Sequence, residues 1–130
     1  MIENNIDGVY VASLTPFDET LKLDLDGLIK LLSFYAKQGC HGALLLGTTG
    51  EGTSLDSKTR KIFWKAAYEI KQDFPSFRLL AGTGTPSLNE TIDFNKFVFD
   101  LGYDGVVVLP PYYLRNVSDQ GLYRWFTNVI

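Results

Sequence analysis

The sequence predicts an α/β fold in which a parallel sheet is covered by helices. Short runs of consecutive apolar residues alternate with longer segments whose apolar residues recur every three or four positions. The short runs are apolar throughout, the pattern of strands buried on both faces. There is also a weak internal repeat. Gly39-Cys40-His41-Gly42 leads into Ala43 to Leu46, and Gly102-Tyr103-Asp104-Gly105 leads into Val106 to Leu109. Each copy reads as a helix stop, a two-residue step and a buried strand, as a repeating β-α architecture requires.

Val9 to Leu14 is the first predicted strand, and Thr15-Pro16-Phe17 is the turn that closes it. Asp24 is placed to cap a helix carrying Leu25, Leu28, Leu32 and Tyr35 on one face. Gly39 follows, where a left-handed helix stop costs glycine little. Ala43 to Leu46 is the second strand. The second helix starts near Asp56, shows Ile62, Ala66 and Ile70 four apart, and stops before Pro75. Arg78 to Ala81 is the third strand. Ser87 and Glu90 have capping-box spacing, ahead of Ile92, Asn95 and Val98. Val106 to Leu109 is the fourth strand, ended by Pro110-Pro111, which cannot continue a ladder. A fourth helix opens near Ser118 with Leu122, Trp125, Phe126 and Val129.

The sum is four β-α units in a single domain spanning 1–130. A closed (β/α)₈ TIM barrel needs eight units and about 250 residues, so the expectation is its first half. The final helix ends on the apolar Val129-Ile130 with no glycine stop, which predicts a portion of a longer domain. A free-standing four-stranded sheet is disfavoured, because its outer strands would expose unpaired backbone.

Composition narrows the function classes. Twelve basic and fifteen acidic residues leave a net charge of -3, too weak to favour nucleic acid or a membrane surface. No apolar run reaches bilayer length, and no secretory leader is evident. The single cysteine, Cys40, forms no internal disulfide and reads as a small buried residue. A cytoplasmic location is expected. No His, Cys and carboxylate cluster has metal-ligand spacing, so neither metal nor cofactor is expected. The only histidine, His41, precedes a strand and is read as structural.

The segment richest in chemistry is Gly47-Thr48-Thr49-Gly50-Glu51-Gly52. It follows a strand and precedes a helix, the end of a parallel sheet where α/β folds place ligands. Amide N–H groups and two hydroxyls there suit a carboxylate or phosphate; a glycine-rich turn without a ligand fits equally well. A phosphate-binding P-loop needs Lys after its second conserved glycine, where Thr53 follows Gly52. A dinucleotide fingerprint needs G-x-G-x-x-G, where this segment reads G-x-x-G-x-G. Ala81-Gly82-Thr83-Gly84 follows the third strand similarly and reads as relief of crowding at a barrel mouth. Tyr112 and Tyr113 follow the fourth strand; a phenol held against another hydroxyl can relay a proton. All eight lysines fall in predicted loops or helices, so none is placed as a desolvated amine nucleophile inside a barrel.

Together, in this order, Thr15-Pro16-Phe17, Gly47 to Glu51, Ala81 to Gly84, Pro111-Tyr112-Tyr113 and Gly121-Leu122-Tyr123 resemble the dihydrodipicolinate synthase/N-acetylneuraminate lyase family. The resemblance covers essentially the whole chain. It implies a TIM barrel, commonly a tetramer of dimers, and class I aldolase chemistry in which pyruvate condenses with a lysine amine before meeting an aldehyde or keto-acid. It implies that Gly47, Thr48 and Thr49 bind the pyruvate carboxylate, with the Thr48 hydroxyl in a proton relay. Tyr113 would join that relay from across a subunit interface. The Schiff-base lysine and a further relay tyrosine lie on later strands in the family, so the 130 residues alone are expected to be inactive. In the family's lysine-biosynthesis synthases a Thr usually stands at Pro110, and an Asn of the lysine-inhibitor site at Pro86. Glu90 and Tyr112 match that inhibitor site. These departures argue against lysine feedback and leave room for a sugar-acid aldolase. A second hypothesis from another class is a non-catalytic half-barrel that binds small carboxylates or assembles with a partner.

Overall fold

The computed structural model describes residues 6–130. Four parallel strands stand in sequential order: β1 (Tyr10–Ala12), β2 (Gly42–Leu45), β3 (Arg78–Gly82) and β4 (Gly105–Val107). Each is followed by a helix: α1 (Leu25–Lys37), α2 (Ser57–Ala67), α3 (Leu88–Leu101) and α4 (Asp119–Val129). A 3₁₀ helix, Tyr68–Gln72, extends α2. The register places Val11 beside Ala43 and Leu79, and Ala12 beside Leu44, Leu80 and Gly105.

Each α-helix begins where a short polar side chain can accept an otherwise unpaired amide. Asp24 accepts from Gly27, Asp56 from Thr59, Ser87 from Glu90 and Ser118 from Gly121. The capping box at α3 is only half formed: the Glu90 carboxylate accepts from the Ser57 hydroxyl on α2 instead of returning to Ser87. The internal repeat is structural. Gly39 and Gly102 have φ of +84° and +96°, and each is followed by the same pair of closing bonds. Gly39 and Cys40 donate to Ala36 and Tyr35; Gly102 and Tyr103 donate to Phe99 and Val98. Both are Schellman stops, one ahead of β2 and the other ahead of β4.

Burial corrects the expectation that all four strands are covered on both faces. Ala43, Leu45, Leu79 and Ala81 are buried against Leu28 and Leu32 of α1, Phe63 and Trp64 of α2, and Phe94 and Val98 of α3. Leu44, Leu80 and Gly82 face the other way and are only half-buried. β1 and β4 are shorter than their apolar runs: Val9 and Leu14 are 64% and 58% exposed, and Leu109 is 43% exposed. The face of α2 is also rotated from the expected Ile62-Ala66-Ile70 line. Ile62 is exposed, whereas Arg60, Phe63, Trp64 and Ala67 are buried.

At the amino ends of the strands Asp104 accepts from the Leu79 amide and pairs with Lys71 at 2.9 Å. His41 Nδ1 accepts from the Val9 amide there, consistent with its structural reading. Cys40 is a half-buried free thiol packed against the core. No helix among the described residues is long and apolar enough to cross a membrane.

Trp64 joins α2 to α3. Its ring meets Phe94 edge-on at 5.0 Å between centroids, while its Nε1 is buried without a partner. Trp64→Ala should therefore cost about 3–5 kcal/mol in chemical denaturation. Trp64→Phe removes the unpaired donor together with the ring edge, and a loss below about 1.5 kcal/mol is expected. A second expectation concerns acid. The Thr59 amide and hydroxyl hold the Asp56 carboxyl below its ordinary pKa. That contribution is fully present above the unfolded value of about 3.9 and lost as pH falls through the lower folded value. Asp56→Asn should thus melt lower than wild type at pH 7, with the gap closing in acid. An equal gap at both pH values would contradict the charge at this cap.

Candidate functional site

The carboxyl ends of β2, β3 and β4 converge on a cleft of about 200 Å³. Leu44, Gly82 and Val107 form its floor, Leu46, Gly84 and Leu109 its upper wall, and Gly47, Thr48, Thr53 and Arg60 its polar side. It lies on the sheet face that the helices leave open.

The turn after β2 is shaped by its own packing. Leu46 has φ +56°, a left-handed conformation that side chains disfavour, yet it is only 4% exposed. Its carbonyl is directed at two glycines: a Cβ on Gly52 would lie 2.1 Å from the Leu46 oxygen, and one on Gly82 2.5 Å. These glycines are thus required by close approach of one protein backbone to another. The Thr15 hydroxyl, itself buried, donates to the Gly50 carbonyl at 2.6 Å. The Thr15-Pro16-Phe17 turn thereby fixes the Gly47–Gly52 turn from the β1 side. Within it, Gly52 and Glu51 donate back to the Gly47 and Thr48 carbonyls.

The structure brings Gly47 and Thr48 to the cleft. Thr49 is exposed on the same turn and does not line it, and Tyr113 is 81% exposed outside it. The loop after β3 reads as its sequence indicated. Thr83 and Thr85 are buried and bonded to Asn95 and Thr91 of α3, so this loop is held as scaffold. None of the eight lysines lies in a strand. Among the described residues no group of His, Cys, Asp and Glu side chains gathers as a metal site would require.

Sequence reasoning missed Arg60. It sits in the first turns of α2, 4% exposed, with Nε donating to the Leu55 carbonyl at 3.2 Å. Its guanidinium lies 5.4 Å from the Phe94 ring centroid. Burial lowers its pKa, while the Tyr112 phenol and the Glu90 carboxylate oppose that shift. The available signal was its position, three residues before Phe63 and four before Trp64, on the stripe that α2 buries.

Comparison with known proteins agrees with this architecture. An uncharacterized DapA-like lyase of Pyrococcus horikoshii is 36% identical over 124 residues, covering 95% of this chain and 42% of that protein. A 4-hydroxy-tetrahydrodipicolinate synthase of Methanococcus maripaludis is 35% identical over 124 residues, with the same 95% and 42% coverage. The chain therefore spans about two-fifths of the length of these curated relatives. Among solved structures, a prophage protein of the dihydrodipicolinic acid synthase family from E. coli K12, in complex with pyruvate, superposes with a TM-score of 0.89 at 31% identity. That superposition covers 96% of this chain and 41% of the other. The four units are accordingly the first half of a TIM barrel, and the cleft lies on what is the barrel's inner face. With residues 5–130 matched by the model of the dihydrodipicolinate synthetase family, the chain belongs to that family.

Proposed function

We propose that the protein carrying this sequence is a pyruvate-dependent lyase of the class I aldolase type. The observation that carries this reading is the Gly47-Thr48 turn opening on the inner-face cleft at the strand carboxyl ends, in a fold that superposes on a pyruvate-bound relative. In this reading Gly47, Thr48 and Thr49 hold the pyruvate carboxylate through turn amides and hydroxyls. The amine that forms the Schiff base comes from outside these residues, since no lysine here lies on a strand. Loss of water leaves an imine that withdraws electrons from the pyruvate methyl, so a proton can leave to give the enamine nucleophile. The Thr48 hydroxyl takes part in relaying protons to and from the acceptor, an aldehyde or keto-acid.

Tyr113 is the second relay member in the proposal. Its exposure supports a role towards a neighbouring subunit, and Tyr112, Leu114 and Val117 beside it are exposed as well. A contiguous apolar surface of this kind favours contact with another chain, here a second copy in a dimer or tetramer. Pro86 and Pro110 favour a reaction without lysine feedback, including sugar-acid aldol chemistry.

Incubation of the complete polypeptide with pyruvate and borohydride, followed by intact mass, is the direct test. A single reduced pyruvyl group on a lysine outside residues 1–130 is expected, and the 130 residues alone should gain none. No adduct on the complete polypeptide would overturn the Schiff-base reading. Thr48→Val should lower turnover about 10²-fold or more, the range for loss of a positioned proton-transfer group, with the melting temperature little changed. Tyr113→Phe should act in the same direction; wild-type turnover in that variant would remove Tyr113 from the relay.

A further inference from the structure

We infer that Arg60 anchors a second anionic group in the cleft, a carboxylate or phosphate carried by the acceptor that meets pyruvate. The observation behind this is a buried cation that lines the cleft without a carboxylate partner. Arg60 is 4% exposed, and among the described residues no carboxylate comes within ion-pair distance of it. The Glu90 carboxylate on α3 accepts from the Ser57 hydroxyl instead. The inference rests on the lyase reading of the cleft and names the class of its second substrate.

The guanidinium is fixed from within the protein. Its Nε donates to the Leu55 carbonyl at 3.2 Å, and the Phe94 ring centroid lies 5.4 Å from its central carbon. That hydrogen bond engages one nitrogen and leaves Nη1 and Nη2 as donors at the polar side of the cleft, which Thr53 also lines. Two N–H groups in a rigid fork match two oxygens of a carboxylate or a phosphate. The Gly47-Thr48 turn, which holds the pyruvate carboxylate in the proposed reaction, comes from the end of β2, whereas Arg60 stands on α2. These are separate anchors, one of turn amides and a hydroxyl, the other charged. Leu44, Leu46, Val107 and Leu109 line the rest of the cleft and offer apolar surface to the acceptor's carbon chain. In the reaction the enamine carbon bonds to the acceptor's carbonyl carbon, and the carbonyl oxygen takes up a proton. The anionic group does not react; it holds the acceptor and selects for it. A guanidinium out of water without a counter-charge is unfavourable, so an anion beside it is preferred to a neutral group of the same shape.

Matched acceptors test this on the complete polypeptide with pyruvate saturating. One pair is 4-oxobutanoate against butanal, which asks for a carboxylate; the other is glycolaldehyde phosphate against glycolaldehyde, which asks for a phosphate. In wild type kcat/KM should favour the anionic member of at least one pair. Arg60→Met should cut that preference about 10- to 100-fold, as loss of a hydrogen bond to a charged group does. Arg60→Lys, which keeps the charge without the fork, should cut it less. No preference in wild type, or a preference that both variants retain in full, would overturn the proposal. So would a higher KM for pyruvate with the preference intact. A second readout needs no turnover: melting in succinate or inorganic phosphate, against sodium chloride of equal ionic strength. One of these anions should raise the melting temperature of wild type, and Arg60→Met should lose that rise. An equal rise in both proteins would put the anion elsewhere and overturn the inference, even if pyruvate trapping succeeds. A rise confined to the protein with Arg60, in a polypeptide that traps no pyruvate, would uphold the anion site while sinking the lyase reading.

Discussion

The backbone reversal at Leu46 is the constraint on which the site depends. A buried leucine in the left-handed region costs roughly 1–3 kcal/mol. Burying its side chain contributes a comparable amount, about 1.5–3 kcal/mol, so the packed side chain is enough to hold the strained backbone. The reversal turns the chain out of β2 within one residue and aims the Leu46 carbonyl at positions 52 and 82. Only glycine fits at either, with a Cβ arriving at 2.1 and 2.5 Å. Gly52, which lies in the segment with the character of a ligand-binding loop, therefore serves the turn, as does Gly82. Of residues 47–52, Gly47 and Thr48 are the ones that line the cleft.

The sheet's two faces divide the work. One is closed by Leu28, Leu32, Phe63, Trp64, Phe94 and Val98 and supplies the stabilising burial. The other is half-exposed and apolar along Leu44, Leu80 and Val107, with the polar groups gathered only at the carboxyl ends. In a barrel that second face becomes the interior. The buried Thr83–Asn95 bond at 2.6 Å, continued from Asn95 to the Val129 carbonyl at 3.3 Å, locks β3, α3 and α4 together. The mouth is thus assembled on elements that neighbouring units hold in place.

The order and type of the four units were legible because each rests on local chemistry: a capping side chain, a helical stripe, a glycine stop and an apolar run. Strand ends were less so. Val9, Leu14 and Leu109 extend apolar runs past the last ladder bond, and residue type alone does not mark where pairing stops. The face of α2 was misjudged for a related reason. Ile62 is the more apolar residue, but the helix buries Arg60 and leaves Ile62 exposed. Hydrophobic periodicity discounts any position occupied by charge. For the site, glycine spacing located the turn, while the Leu46 strain that explains Gly52 and Gly82 has no sequence signature. The family resemblance supplied roles for Thr48 and Tyr113 that periodicity does not contain.

Arg60 shows why a buried charge merits a functional question. Moving a guanidinium out of water carries an effective penalty of several kcal/mol. One bond to Leu55, a nearby carboxylate and an aromatic face offset part of it. Well-packed leucine or methionine at the same place would avoid the penalty altogether, and replacing buried ion networks by apolar side chains is often neutral or stabilising. Packing against Phe94 therefore does not account for a cation on this stripe. What arginine adds is direction: a donor aimed at the Leu55 carbonyl and a charge set over the Phe94 ring.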